Sequence, residues 1–324
     1  MLSNSTELSI WVLVGFTAIL TIFFNLYILL MSLHGYRQNG HWLPCETIIS
    51  ALSLTNILHQ IISYIWMTME ELDRKCMLQE QSFSIILVIV FSLKFSIIWI
   101  TAFLTFFYST KLVIEPIHCY TKIQEAFLKH VGTVVIAIPV CGFITCMPLV
   151  TVLAPLNKTI ENEFCSSIIP VGLNGTIYVI YYFLISDVIP GLLMLKSSIS
   201  ISVHLAIHLH HMKTSNNGFH TPKLGSEMRV IHMNLGLVVV FLCFLLVDLY
   251  VYYMSIAKME NVMMLSILFS SIYTAASSLL LIYGKKTFWK GLLHLHNLFI
   301  DEYPCLECLK VPENKVKEKT TPGH

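Results

Sequence analysis

Charge is what this sequence has least of. Only 12% of its 324 residues are Asp, Glu, Lys or Arg, about half the share of an ordinary soluble domain. In contrast 56% are hydrophobic, and the mean hydropathy is +0.72. A water-soluble globule is excluded, and a chain this apolar is not disordered either. Charge imbalance is missing too: 20 Lys and Arg face 19 Asp and Glu, so bulk charge implies no nucleic-acid partner. Nine cysteines are too thin a density for a disulfide scaffold, and the run Cys305-Leu306-Glu307-Cys308 has neither a second pair nor histidines at zinc-ligand spacing. Catalytic signatures are lacking: there is no G-x-S-x-G, no P-loop, no H-E-x-x-H and no carboxylate pair within one span. No enzyme activity, cofactor or metal is expected. Residues 1–7 lack the basic region that opens a cleaved signal peptide.

What is present is apolar length. A bilayer core of about 30 Å requires roughly 20 apolar residues in a helix, and seven segments meet that requirement: 8–34, 45–69, 81–111, 130–154, 176–209, 230–254 and 262–284. The third and fifth exceed the membrane thickness and are expected to project beyond it. Strands are excluded because segments such as 84–93 and 238–247 do not alternate. Pro139, Pro148 and Pro190 fall inside spans, where they kink helices that neighbours support. The expected fold is an all-α membrane protein, a seven-transmembrane-helix bundle over 8–284. It is flanked by an extracellular N-terminus at 1–7 and a cytoplasmic tail at 285–324. The tail opens with Phe288, Trp289, Leu292, Leu293 and Leu295 among basic residues, the pattern of a short amphipathic helix on the inner leaflet.

Orientation follows from the basic residues. With the N-terminus outside, fourteen of the twenty lie in inner loops and tail, and four (Arg74, Lys75, Lys158, Lys258) lie outside. Three N-x-S/T sequons, at Asn4, Asn157 and Asn174, fall on the same outer side as glycosylation acceptors, with Asn174 close to the membrane. The longest loop is about twenty residues, too short for a soluble active site, and no inverted repeat of the transporter kind is apparent.

An ionisable side chain within a span costs at least about 2.5 kcal/mol on insertion scales and is a functional candidate by default. Lys94 sits about 20 Å from the outer surface by helical rise and Asp187 about 16 Å, and a Lys94–Asp187 pair is within reach. Asp248 lies shallower. Two readings stand for this trio: the lining of a ligand cavity between the third, fifth and sixth spans, or a buried ion pair that fixes packing. Trp66, Phe91, Phe95, Tyr250, Tyr252 and Tyr253 belong to the outer half, as pocket residues or as interfacial aromatics. His204, His208, His210 and His211 have metal-like i, i+4 spacing but read better as the polar face of a helix extension.

Certain residues carry a family resemblance. The third-span run Trp99-Ile-Thr-Ala-Phe-Leu-Thr-Phe-Phe-Tyr108-Ser-Thr-Lys111 resembles the W-x-A-T-x-L-x-x-F-Y-x-x-K signature of type 2 taste receptors, the bitter receptors. His208-Leu-His210-His211-Met212, followed by Gly218-Phe-His-Thr-Pro222 and Glu227, is similar to that family's third inner loop. Ser278-Leu-Leu-Leu-Ile-Tyr-Gly284-Lys-Lys286 is similar to its seventh-span end. Asn25 and the run Glu46 to Leu52 fit as well. The D-R-Y, C-W-x-P and N-P-x-x-Y marks of rhodopsin-like receptors are missing. The chain departs from the family at Asn56, Ser277, Lys285 and Lys94, where the family has Arg, His, Asn and Asn, as a divergent member would.

The resemblance implies a plasma-membrane G-protein-coupled receptor that binds small bitter compounds and activates a heterotrimeric, gustducin-like G protein. The expected ligand set is Val90, Phe91, Lys94, Asp187, Asp248 and Trp66, with Val90 and Lys94 facing the cavity by family position. The expected coupling set is Tyr108, Lys111, His208, Met212 and Lys285. Cys76 and Cys165 share the outer side, yet the family usually lacks a bridge there. Membrane lipids are partners, and homo- or hetero-oligomers stay open. A vomeronasal-type or orphan chemosensory receptor, and a seven-span transporter or channel using Lys94, Asp187 and Asp248 as an ion path, remain as alternatives.

This topology predicts that epitope tags at the two termini stain from opposite sides of the membrane: the N-terminal tag in intact cells, the C-terminal tag only after permeabilisation. Staining of both tags without permeabilisation contradicts the charge-based orientation.

Overall fold

A computed structural model describes residues 4–72, 80–112, 122, 125, 129–153, 173–215, 225–258 and 263–302. The helices are α1 (Asn4–Asn39), α2 (Pro44–Leu72), α3 (Glu80–Leu112), α4 (Val131–Cys146), α5 (Pro148–Leu153), α6 (Leu173–Phe183), α7 (Ile189–Ser215), α8 (Gly225–Lys258), α9 (Met263–Gly284) and α10 (Lys286–Glu302). One π turn, Leu184–Val188, joins α6 to α7. Seven of the resulting rods are long and apolar enough to cross a membrane, with α4–α5 and α6–α7 forming the fourth and fifth. No strand occurs among the described residues. Asn157, Cys76 and Cys165 lie outside them, as does everything beyond residue 302.

Local chemistry explains where the rods stop and start. Gly40 ends α1 at φ +73°, the left-handed conformation that glycine adopts freely. Its N–H donates to the Tyr36 carbonyl at 2.8 Å. Four residues on, Pro44 opens α2, where its missing N–H costs nothing. Tyr36 and Trp42 stack across this turn at 5.3 Å. Pro148 likewise opens α5, after the Met147 N–H closes α4 on the Phe143 carbonyl at 3.0 Å. Pro139 sits within α4 without breaking it.

The rods form a closed neighbourhood. α1 packs on α2 and α9, α9 on α8, and α8 on α7, while α3 touches α2, α4, α5, α7 and α8. The third span is accordingly the most enclosed, with 67% of its most apolar window buried, against 22% for the fourth span. Ile136, Ile144, Ile19 and Leu246 are all more than 60% exposed. A helix apolar on every face with only a minority of it covered is built for a hydrocarbon solvent.

Two apolar clusters fill the interior. One, toward the end that carries the chain's N-terminus (the upper end below), gathers Val14, Trp66, Met67, Val90, Tyr178 and Tyr182. The other occupies the middle and lower bundle around Ile28, Leu52, Phe103, Phe241, Phe244 and Tyr273, and reaches Phe288 of α10. The structure thereby extends two expectations. α8 starts at Gly225, one turn and more before residue 230, because Glu227, Met228 and Arg229 continue its helical run. The amphipathic tail helix continues to Glu302 and docks on α1, the Tyr27 hydroxyl donating to the Phe288 carbonyl at 2.6 Å.

Small residues set the closest approaches, as usual where lipid supplies no hydrophobic drive between helices. A Cβ on Gly142 of α4 would lie 2.8 Å from the Phe95 ring and 3.1 Å from the Ser92 carbonyl oxygen. Gly142→Val is therefore expected to cost about 1–3 kcal/mol through overpacking, read as a lowered melting temperature of the detergent-purified protein. Gly132→Ala, at a position with nothing within 4 Å, is the matched control and leaves the melt unchanged within a few tenths of a kcal/mol.

Candidate functional site

Lys94, Asp187 and Asp248 lie at the boundary between the two apolar clusters. Lys94 of α3 and Asp248 of α8 are 4% and 1% exposed and form an ion pair, Nζ to Oδ2. The other Asp248 oxygen accepts from Ser266 of α9 at 3.1 Å. The Lys94 ammonium also lies 5.2 Å from the centroid of the Phe244 ring and 5.6 Å from that of Tyr252, close enough for cation–π attraction. This cation is thus held by one carboxylate and two aromatic rings.

Asp187 is fully buried as well, and lies in the electrostatic field of Lys94. The sequence-derived pair of Lys94 with Asp187 is nevertheless not what forms; Lys94 chooses Asp248. Backbone chemistry supplies the reason. Pro190 has no N–H to give the Ser186 carbonyl, and the chain relaxes into a π turn in which the Ile189 N–H reaches the Leu184 carbonyl. Inside that turn Asp187 Oδ2 accepts from the neighbouring Ser186 hydroxyl, and the freed Ile185 carbonyl accepts from the Trp99 indole at 3.1 Å. Depth arithmetic set Asp248 shallower than Lys94, yet these two form the pair, while Asp187 takes the Ser186 hydroxyl.

Of the remaining expected ligand residues, Trp66 and Val90 are buried in the upper cluster and Phe91 packs against it. Phe91 meets Tyr182 edge-on at 5.3 Å, and the Tyr182 hydroxyl donates to the Phe91 carbonyl at 2.9 Å. Val90, Phe91, Lys94, Asp187, Asp248 and Trp66 therefore share one region. Tyr250 and Tyr253 are outward-facing, 53% and 58% exposed.

The lower end holds a second constellation. Lys285 pairs with Glu46 of α2 and lies 4.3 Å from the Phe288 ring centroid. Beside Glu46, the Cys45 thiol and the Tyr108 hydroxyl are 2.8 Å apart. Tyr108 and Lys285 are thus brought together through residues 45 and 46, while Lys111 is exposed on the surface. Lys285, just past the end of the seventh span, thus makes a specific contact with the second span. His208 and Met212 fall in α7, with side chains outside the described residues. Asn4 lies in the first turn of α1, its side chain likewise outside them, and Asn174 is exposed in the first turn of α6.

A third set was named in the sequence only in part, Asn25, Asn56 and Ser278 for the family resemblance, and the network they form with Gln60, Ser271 and Thr274 was missed. The Asn25 amide donates to Ser278 at 2.7 Å, Asn56 donates to Asn25 at 3.2 Å, and Gln60 donates to Thr274 at 2.6 Å while accepting from Ser271 at 2.8 Å. These buried groups tie α1, α2 and α9 together. The signal available was the i, i+4 spacing of Asn56 and Gln60, which puts both amides on one helical face, opposite the hydroxyl-rich face of the seventh span.

The sequence model described as Taste receptor protein (TAS2R) matches residues 1–296, all seven rods and most of α10. No curated protein matches the chain.

Because breaking a buried pair strands one charge, Lys94→Met is expected to lower stability by about 3–5 kcal/mol, and Lys94→Met with Asp248→Asn to recover most of it. Melting of the purified variants in a double-mutant cycle measures this, and additive losses would contradict the pairing.

Proposed function

The chain belongs to the TAS2R taste-receptor family, and on that premise we propose that it binds small bitter compounds in the upper half of the bundle and activates a heterotrimeric G protein at the lower end. The family is one of receptors, with a seven-helix G-protein-coupled fold, so the chemistry required of this chain is binding and conformational change. Under this reading the upper end faces outside the cell, Asn4, Asn157 and Asn174 are glycosylation acceptors, and the coupled protein is gustducin-like. The match favours the taste family over the vomeronasal alternative.

The observation that carries the proposal is the Lys94–Asp248 pair. It joins the third span to the sixth at the layer beneath Phe91 and Tyr252, with its charges deep inside the bundle. A ligand that competes for either partner, or for the rings around the ammonium, has a different affinity for the joined and separated arrangements. Only such differential affinity can shift a conformational balance. The opposite ends of the same two helices carry Tyr108 and Arg229. Tyr108 touches Cys45, and the Arg229 guanidinium lies 5.3 Å from the Tyr283 ring centroid of α9. Separation of α3 from α8 there opens a cleft for a partner helix, a helix-in-groove contact.

The receptor reading predicts dose-dependent calcium release by bitter compounds in cells that supply a promiscuous G protein, and none without it. Tyr108→Phe removes the hydroxyl that meets Cys45; it is expected to change the maximal response by several-fold while agonist affinity, measured on purified protein, stays within about twofold. A change confined to affinity contradicts the coupling role. Ion flux without a G protein would instead favour a channel.

A further inference from the structure

The buried charged layer does not balance. Lys94 carries one positive charge, Asp248 and Asp187 one negative charge each when ionised, and the ammonium is already committed to Asp248. Asp187 has 0% exposure and receives one hydrogen bond, from Ser186. Its second oxygen, Oδ1, is buried without a hydrogen-bond partner among the described residues. The Tyr252 hydroxyl is buried in the same unpartnered way. A carboxylate oxygen in a low-dielectric interior with no donor is costly, and such groups persist where something else supplies the missing partner.

The surroundings specify what that partner is. Each of the three charged residues has an aromatic ring about one turn nearer the upper end: Phe91 above Lys94, Phe183 above Asp187 and Tyr252 above Asp248. Phe183 and Tyr252 meet edge-to-face at 5.1 Å, and both are only half-buried. An unsatisfied carboxylate one helical turn below a pair of aromatic rings, one of which already lies 5.6 Å from a buried ammonium, is a combination that attracts an organic cation. The π turn adds an independent indication, since such one-residue bulges concentrate at functional sites. Here it places Asp187 in the layer while leaving its Oδ1 without a donor.

We propose that the ligand site takes an organic cation whose ammonium pairs with Asp187 beneath the Phe183 and Tyr252 rings, the Lys94–Asp248 pair serving as its internal neighbour and not as its anchor. As an account of agonist chemistry it rests on the receptor reading; as an account of binding it does not. The ligand supplies the charge the layer lacks, so a neutral compound of equal shape gains the ring contacts without the ion pair, and an anion meets an electrostatic barrier.

The test uses full-length protein purified in detergent, with no G protein present, and reads affinity from ligand-dependent shifts in melting temperature. Protonated N,N-dimethylbenzylamine, whose single N–H can donate to Asp187 Oδ1, and its uncharged carbon isostere, isobutylbenzene, are the probes. Wild-type protein is expected to prefer the ammonium by about 10- to 100-fold, the range for a hydrogen-bonding or charge partner inside a protein. Asp187→Asn removes that preference and Asp187→Glu restores part of it. Equal affinity for the two probes in wild-type protein, binding of neither, or an unaltered preference in Asp187→Asn overturns the proposal. Phe183→Leu keeps it decidable if the Asn variant does not fold: a several-fold loss for the ammonium alone supports it, and equal losses for both probes overturn it. Calcium responses to uncharged agonists alone, with no ammonium binding, sink this inference and leave the receptor reading standing. Charge-selective binding without any G-protein response does the reverse.

Discussion

Hydrocarbon accepts no hydrogen bonds, and that constraint organises this molecule from the backbone outward. It forces the chain into rods that satisfy their own amides. It also makes a buried polar side chain costly unless it finds a partner within the bundle. Lys94 with Asp248, Glu46 with Lys285, and the Asn25, Asn56, Gln60 and Ser278 network are three local answers to that demand. They lie at different depths. Together they cross-link the first, second, third, sixth and seventh spans, which apolar packing alone would leave free to slide.

These links differ in what they permit. The amide and hydroxyl network joins α1, α2 and α9 through several neutral bonds and makes that side of the bundle a rigid frame. The link between α3 and α8 is one charged pair, and its worth depends strongly on what surrounds it. A frame with many small ties on one side and a single strong, environment-sensitive tie on the other concentrates its adjustable energy in one place. That place lies where the apolar interior changes from the upper cluster to the lower one.

The spans were legible in the sequence because a run of roughly twenty apolar residues admits one interpretation. Helix ends were less so: α8 begins ahead of its apolar run, since residues such as Glu227 and Arg229 can be helical outside the membrane without contributing to a hydropathy window. The charged trio was found from composition alone, as buried charge in an oily segment announces itself. Its pairing was not: depth arithmetic set Asp187 nearer than Asp248 to the level of Lys94, and it could not show the π turn at Leu184–Val188, where Asp187 takes the Ser186 hydroxyl. Glu46 with Lys285 was hidden for a different reason: a basic residue at a span end satisfies the positive-inside rule whether or not it has a specific partner.

The π turn also rephases the fifth span as a whole. One inserted residue advances a helix by about 100° and 1.5 Å, so the wheel that describes α6 is offset from the one that describes α7. Tyr178 and Tyr182 present their rings inward on the first wheel, and Met194 and Ser198 do so on the second. Heptad counting carried across Leu184–Val188 would assign one of these sets to lipid. Alignments of this span with relatives of different length at that bulge must therefore slip by a residue, or equivalent side chains will be matched to opposite sides of the same rod.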